Sequence, residues 1–134
     1  VSRRLGLNYK DFEQLYRRMV FNVIARNHDD HTKNFSFLMD KAGKWSFAPA
    51  YDLCYSYNPA GRWTSRHQLS LNSKTDDFAR EDFLAVAQNI GIRDANHIIE
   101  EVLSTVASWP DTAKDCGVRP EHIEAISKTL LLYI

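Results

Sequence analysis

The residues with the clearest potential for chemistry lie in one short polar run and in a single aspartate further along the chain. The run reads Asp-Asp-His-Thr-Lys-Asn over residues 29–34, and Asp52 lies 18 positions after Asn34. Phosphoryl transfer needs a carboxylate that accepts or orients the proton of the attacking hydroxyl, together with oxygen ligands that hold Mg²⁺ against nucleotide phosphates. We therefore interpret the run as a phosphotransfer loop in which one carboxylate is the candidate proton acceptor.

The neighbouring side chains match the other parts of such a site. An amide oxygen and a carboxylate suit the metal, so Asn34 and Asp52 are the predicted Mg²⁺ ligands and nucleotide-binding residues. Lys33 beside them would neutralise charge on the transferred phosphoryl group. The Asp-x₄-Asn spacing from Asp29 to Asn34 is that of a kinase catalytic loop, and an aspartate at the end of the following hairpin falls where the kinase metal-binding aspartate falls.

A helix predicted over residues 8–26 must deliver this loop. Its apolar residues recur at helical spacing, and Asn8 is placed to cap it with Asp11 three positions later. The predicted catalytic loop, residues 27–34, is too charged to be buried without partners. The apolar face of the helix contains Phe12, Leu15, Tyr16, Met19, Val20 and Val23.

A β-hairpin predicted over residues 35–52 follows the loop. Apolar residues fall on odd positions around a turn at 40–44, which leaves one aromatic face to pack on the first helix. With Gly43 as the centre of the turn, Asn34 and Asp52 face each other at the open end. Directly opposed side chains lie about 5 Å apart at Cβ. The hairpin is therefore predicted to bring the amide and the carboxylate together on its polar face.

The rest of the chain is predicted to be a support for this site. Residues 53–79 are irregular and polar, typical of a surface loop, and residues 80–134 read as a helical subdomain. Three helices are predicted there, over 80–89, over 94–109 and from Pro120 onward. The predicted fold class is a single domain that is mainly α with a small β-hairpin.

Composition narrows the classes of protein and partner. A chain of 134 residues is about one domain, and its 17 basic and 17 acidic side chains cancel, which argues against a dedicated nucleic-acid or membrane partner. No apolar run approaches the roughly 18 residues of a membrane span. Cys54 and Cys116 belong to no CxxC motif and are predicted to be buried or semi-buried thiols of a reducing compartment. We expect a cytoplasmic location.

The stretch FNVIARNHDDHTKNFSFLMDKAGKWSFAPAYDLCYS resembles the C-terminal lobe of HipA-like serine/threonine protein kinases, the toxins of bacterial toxin–antitoxin pairs. The resemblance is strongest over residues 17–56. It continues more weakly through HQLSLNSKTDDFAREDFLAVAQNIGI and the later helix that ends at Trp109. It implies a protein-kinase-like C-terminal lobe that uses ATP and Mg²⁺.

The resemblance also implies individual roles. Asp29 would be the catalytic aspartate, Asn34 and Asp52 the Mg²⁺ ligands, and Lys33 an auxiliary group on the phosphate side. His31 matches the Asp-x-His-x-x-Asn loop of phosphoinositide-type kinases, which makes it a second candidate for handling the proton or bracing the loop.

The partners that the resemblance implies lie outside this sequence. They are a helix-turn-helix antitoxin, through which DNA is reached only indirectly, and a protein substrate such as an aminoacyl-tRNA synthetase. The five glycines are dispersed and form no phosphate-binding loop, and no lysine-bearing strand precedes the first helix. We expect an N-terminal lobe, on the same or a separate chain, to complete the ATP site, because the sequence also starts at Val1 rather than Met. The isolated chain should bind ATP weakly and transfer phosphate poorly.

Two alternatives stay open from the residues. His28, Asp29 and His31 could ligate a transition metal in a phosphohydrolase, since imidazole and carboxylate are suitable ligands. The chain could also be a non-catalytic module that binds the antitoxin. Asp30 is given no catalytic role, and His67 is predicted to be an ordinary surface or hydrogen-bonded histidine.

Overall fold

The computed structural model describes residues 1–134 and contains five α-helices and one two-stranded antiparallel hairpin. This confirms the predicted fold class, mainly α with a small β-hairpin. A short 3₁₀ turn at Thr32–Asn34 separates the first helix from the hairpin. The elements are α1 (Tyr9–Ile24), β1 (Phe37–Met39), β2 (Trp45–Phe47), α2 (Arg80–Ile90), α3 (Ala95–Ala107), α4 (Trp109–Asp115) and α5 (Pro120–Ser127).

Helix α1 begins with a reciprocal cap. Asn8 Oδ1 accepts the N–H of Asp11 at 3.1 Å, and Asp11 Oδ2 accepts the N–H of Asn8 at 3.3 Å, which confirms the predicted cap. The other carboxylate oxygen of Asp11 accepts the main-chain N–H of Phe47 at 3.0 Å. The start of α1 therefore also holds strand β2 in place.

The hydrophobic core lies where α1, α2 and α3 meet. Tyr16 of α1 is buried, and its hydroxyl donates to the main-chain carbonyl of Phe83 in α2 at 3.1 Å. The C-terminal segment returns to α1, where the N–H of Leu131 bonds to the carbonyl of Ile24 at 3.0 Å. The buried core contains Tyr16, Val20, Val23, Ile24, Leu71, Phe78, Phe83, Ala87, Ile92, Ala95, Ile98, Ile99, Val102 and Val106.

The hairpin packs only part of the predicted apolar face, since Phe47 is buried while Met39 and Tyr51 are exposed. Phe37 pairs with Phe47 across the two strands, and the rings of Phe35 and Phe37 lie 6.4 and 5.7 Å from the ring of Phe47. Gly43 adopts a φ of 79° in the connecting turn, where the carboxylate of Asp40 accepts two main-chain N–H groups at 2.8 and 2.9 Å.

The predicted register at the open end of the hairpin is wrong. The observed pairing of the strands, extended backwards, would place Asn34 opposite Ala50 rather than Asp52. The ladder stops before that point because Asn34 already belongs to a 3₁₀ turn. On the other side Pro49 fixes its φ at about −65°, far from the −140° or so of an antiparallel strand. Asn34 and Asp52 are therefore not a cross-strand pair.

Residues 53–79 contain no helix or strand, yet they are more than a surface loop. His67, Leu71 and Phe78 are buried, so the prediction of a surface loop is wrong for these side chains. An isolated β-bridge between Leu71 and Lys74 closes a tight turn in the middle of the segment. The segment is thus anchored to the core at several points.

The second half of the chain has four helices where three were predicted. Helix α4 follows α3 almost directly, and Pro110 stands in its first turn, where a missing N–H costs no helical hydrogen bond. A pattern that treats proline as a stop signal therefore misses it. Ala113 is buried and holds α4 against the core, and Gly91 ends α2 with a φ of 79°.

Two further expectations concern the environment of the chain. Cys54 and Cys116 are both free and exposed, so their predicted burial is wrong. Cys54 lies in the irregular segment after the hairpin, and Cys116 lies at the end of α4, where neither packs into the core. None of the helices has the length and apolar character needed to cross a membrane.

Candidate active site

The predicted catalytic loop leaves α1 through a left-handed residue. Arg26 has a φ of 58°, and its N–H bonds back to the carbonyl of Val23 at 3.3 Å. The next N–H, that of Asn27, bonds back to the carbonyl of Asn22 at 2.8 Å. This is the Schellman pattern of helix ends. It turns the chain so that Asn27 is buried under α1 while Asp29 emerges two residues later.

Asp29 has a fixed backbone and a free carboxylate. Its main-chain N–H donates to Ser56 Oγ at 2.9 Å, and its main-chain carbonyl accepts from Asn34 Nδ2 at 2.8 Å. Its side chain is 46% exposed, and His31 Nε2 lies 3.6 Å from Oδ1, too far for a hydrogen bond. The carboxylate is therefore held in place with its oxygens available to accept a proton.

Asn34 closes the loop from the end of the 3₁₀ turn. The residue is buried, and its Nδ2 is committed to the carbonyl of Asp29. Its Oδ1 makes no hydrogen bond within the protein and is not sealed from solvent. Because Nδ2 holds the side chain, the amide oxygen is left as an oriented hard donor of the kind that Mg²⁺ prefers.

Asp52 reaches the site by a different route from the predicted one. It lies beyond the end of β2 and adopts a left-handed φ of 53°, a conformation that aspartate tolerates better than most residues. Its main-chain carbonyl accepts a hydrogen bond from Asn27 Nδ2 at 3.2 Å. Its side chain is exposed and forms no ion pair, so the carboxylate is free.

The main chains of Asp29 and Asp52 are linked through the side chains of Asn27 and Ser56. Partial burial raises the pKa of the Cys54 thiol, and the negative charges of Asp52 and Asp29 raise it further. Both carboxylates therefore act on one thiol. The main chains of the two predicted acids are thus joined by side-chain hydrogen bonds, although the predicted cross-strand pair does not exist.

Lys33 and His31 stand at the exposed edge of the loop. The ammonium of Lys33 is exposed and has no ion-pair partner, while its main-chain carbonyl accepts the hydroxyl of Tyr51 at 2.6 Å. That bond ties the loop to the segment that leads into Asp52. His31 is 40% exposed, and its Nε2 lies 3.6 Å from Oδ1 of Asp29.

The oxygen atoms left free at this site fit Mg²⁺. Asn34 offers an amide oxygen whose nitrogen is already used, and Asp52 offers an unpaired carboxylate. Hard oxygen donors in small number, with room for water and phosphate oxygens, are how Mg²⁺ is bound in phosphotransfer sites. These two residues would hold the ion.

The alternative transition-metal cluster does not form. His28 is fully buried, with its ring between those of Tyr57 and His67 at 4.8 and 4.0 Å, whereas Asp29 and His31 are substantially exposed. No group of three or more His, Cys, Asp or Glu side chains is arranged to hold a metal ion. His28 is buried away from the exposed Asp29 and His31, so the phosphohydrolase interpretation loses its ligand set.

Three residues that support the site were missed or undervalued in the sequence. Asn27 and Ser56 hold the main chains of Asp52 and Asp29, and buried His67 bonds to Asp30. Asn27 offers a weak signal, because it lies with Arg26 at the start of the polar run that follows the first helix. Ser56 and His67 offer none, because their partners are 27 and 37 residues away.

Comparisons with known proteins place this chain in a family. A family model described as "HipA-like C-terminal domain" matches residues 1–128. A protein of Haemophilus influenzae that carries the name "Putative kinase" is 24% identical over 136 aligned residues, which cover 87% of this chain and 39% of that protein. The chain thus spans about two fifths of the length of this curated relative.

Proposed function

The chain belongs to the HipA-like C-terminal domain family, and from this premise we propose that it is the catalytic-loop lobe of an ATP- and Mg²⁺-dependent serine/threonine protein kinase. Membership of the family, together with the relative named as a kinase, supports a kinase-like role. The nucleotide, the metal and the acceptor residue are the finer parts of the proposal.

The observation that carries the proposal is the state of Asp29. Both polar groups of its main chain are held by side chains, from Ser56 and from Asn34, while its carboxylate oxygens are free. A carboxylate that is oriented without being neutralised can accept the proton of a seryl or threonyl hydroxyl as that oxygen attacks phosphorus. Such preorganisation is what a phosphotransfer site requires of its base.

The other side chains of the site bind the metal, stabilise the phosphoryl group and orient Asp29. Asn34 and Asp52 hold Mg²⁺, which when bound neutralises charge on the nucleotide phosphates. Lys33 precedes Asn34 in the chain, and its exposed, unpaired ammonium stabilises charge on the transferred phosphoryl group. His31, 3.6 Å from Asp29, helps to orient that carboxylate.

The partners in this proposal follow from the family resemblance. A separate N-terminal lobe, in the same or another chain, supplies the phosphate-binding loop and strand lysine. A helix-turn-helix antitoxin binds the kinase and makes the contacts with DNA. The substrate is a translation protein such as an aminoacyl-tRNA synthetase. The kinase acts as a toxin in the cytoplasm. The isolated chain, residues 1–134, should transfer phosphate poorly because it lacks the ATP-binding loop.

The decisive experiment uses the full protein that contains this chain. It is incubated with radiolabelled ATP, Mg²⁺ and a serine/threonine protein substrate, and phosphoprotein formation is measured. Asp29→Asn should lower kcat by about a thousandfold, a typical contribution of general base catalysis. Asp115→Asn is the matched control, since that carboxylate is exposed at the end of α4, remote in sequence from the loop.

Asp52→Asn separates the metal role from the base role. Asparagine also tolerates the left-handed backbone, so the variant keeps the fold while removing the charge. It should raise the Mg²⁺ concentration needed for half-maximal rate. If Asp29→Asn behaves like Asp115→Asn, the catalytic proposal is wrong and the chain is a binding module.

A further inference from the structure

Asn27 is a buried side chain that contacts both halves of the site. It is 1% exposed, and its Nδ2 donates to Asn22 Oδ1 at 3.1 Å and to the main-chain carbonyl of Asp52 at 3.2 Å. Its Oδ1 accepts the hydroxyl of Ser56 at 3.2 Å and faces Cys54 Sγ at 3.9 Å. Every polar atom of the amide is in use.

Ser56 extends this network to Asp29. Its hydroxyl donates to Asn27 Oδ1 and accepts the main-chain N–H of Asp29 at 2.9 Å. Its own main-chain N–H bonds to the carbonyl of Arg26 at 3.2 Å, which fixes the position of the hydroxyl beside the loop. One amide and one hydroxyl therefore connect the main chains of Asp29 and Asp52.

Asp52 depends on this network more than its neighbours do. Its φ of 53° lies in the left-handed region, which is unfavourable for a residue with a Cβ atom, and no helix or strand surrounds it. The bond from Asn27 is the one hydrogen bond that its main chain makes. Without it, the aspartate would be free to return to a commoner backbone conformation.

We infer that Asn27 is a positioning residue that sets the separation between the proton acceptor Asp29 and the metal ligand Asp52. The inference rests on the proposed function for the meaning of that separation. An amide is suited to the task because it offers donors and an acceptor on one rigid plane, and Asn22 orients that plane. Asn27 and Ser56 contact Asp29 and Asp52 through main-chain atoms only, so the chemistry of both carboxylates is left free.

Two substitutions divide the network in the full protein. Asn27→Leu keeps the branched shape of the side chain but removes its hydrogen bonds to Asp52 and to Ser56. Ser56→Ala removes the hydrogen bond to the main-chain N–H of Asp29 and leaves the one from Asn27 to Asp52. Tyr16→Phe is a control for the loss of a buried hydrogen bond away from the site, and Ser127→Ala is the matched serine control in α5.

The first readouts are the affinity for Mn²⁺ with bound nucleotide, measured by electron paramagnetic resonance, and kcat. Asn27→Leu should weaken Mn²⁺ binding and lower kcat, each by about tenfold or more, the usual effect of removing a residue that orients a metal ligand. Ser56→Ala should lower kcat by about tenfold, with Mn²⁺ affinity within about twofold of wild type. The two controls should leave both quantities within about twofold.

A second readout tests the geometry without catalysis. In ¹⁵N-labelled protein, Asn27→Leu should shift the amide resonances of Asp29 and Asp52, and Ser56→Ala should shift that of Asp29 alone. The inference is overturned if Asn27→Leu leaves the Asp52 amide and Mn²⁺ affinity as they are in the controls. If Asn27→Leu does not fold, the shift of the Asp29 amide resonance in Ser56→Ala still tests the connection from the network to Asp29. A wild-type protein that transfers no phosphate would refute the proposed function, while the amide shifts would still decide the role of Asn27.

Discussion

Asp30 and His67 form a buried pair across 37 residues of sequence, with Asp30 Oδ2 2.8 Å from His67 Nδ1. The other oxygen of Asp30 accepts the main-chain N–H groups of Gln68 and Leu69 at 2.7 and 3.1 Å. This carboxylate is fully committed, whereas that of its neighbour Asp29 makes no hydrogen bond. The pair therefore identifies Asp30 as a structural aspartate and fastens the segment around His67 to the loop of residues 27–34.

The two adjacent aspartates should differ sharply in their effect on stability. Asp30→Ala leaves buried N–H groups without an acceptor and should lower the free energy of unfolding by about 3 kcal/mol. Asp29→Ala removes a half-exposed carboxylate that makes no hydrogen bond and should change the free energy of unfolding by less than about 0.5 kcal/mol. Urea unfolding at pH 7 measures both. Equal losses in the two variants would contradict the assignment.

His28 should make the fold sensitive to mild acid. Burial, together with His67 and Arg26 nearby, lowers its pKa from 6.5 to about 4. Between these pH values the unfolded chain binds a proton at His28 and the folded chain does not. The free energy of unfolding should therefore fall as the pH drops from 6.5 towards 4.

A variant at this position provides the test. Both ring nitrogens of His28 lack a hydrogen-bond partner, so His28→Leu leaves no polar group unpaired. The variant should be at least as stable as wild type at pH 7 and should lose less stability between pH 7 and pH 5, as measured by urea unfolding. Parallel losses in both proteins would rule out His28 as the source.

Tyr16 should stabilise the fold through its hydroxyl as well as through its ring. Tyr16→Phe removes the hydrogen bond to the carbonyl of Phe83 and should cost about 1 kcal/mol of unfolding free energy. Burial raises the pKa of Tyr16 to about 12, so its stabilisation is complete below pH 10 and is lost as the pH rises towards 12. Phenylalanine should remove that alkaline loss. Denaturation curves at pH 7, 10 and 11.5 measure both effects.

Asp82 should account for part of the acid sensitivity at still lower pH. Hydrogen bonds from the main-chain N–H of Ala79, from Lys74 and from Asn72 lower its pKa from 3.8 to about 2. This stabilisation is complete above pH 3.8 and is lost as the pH falls towards 2. Asp82→Asn should be less stable at pH 7 and lose less between pH 5 and 2.5. A variant with the wild-type acid profile would disprove the contribution.

Local signals in the sequence were enough for much of the fold. The Asn8 cap and the helical spacing of α1 depend on residues within a few positions of one another, and so does the glycine turn at Gly43. The Asp-x₄-Asn run from Asp29 to Asn34 is equally local. These features could be predicted because the interactions that produce them act over one or two turns of chain.

The sequence by itself determined which residue types could carry the chemistry and which elements surround them, because capping, periodicity and motif spacing are short-range. Only the tertiary structure decided how the residues meet. Asp52 reaches the site by a left-handed backbone held by Asn27, and not by the predicted strand pairing with Asn34, because the hairpin ladder ends early. The same holds for Asp30 and His67, whose contact depends on burial shared across 37 residues, for which a linear pattern carries no signal.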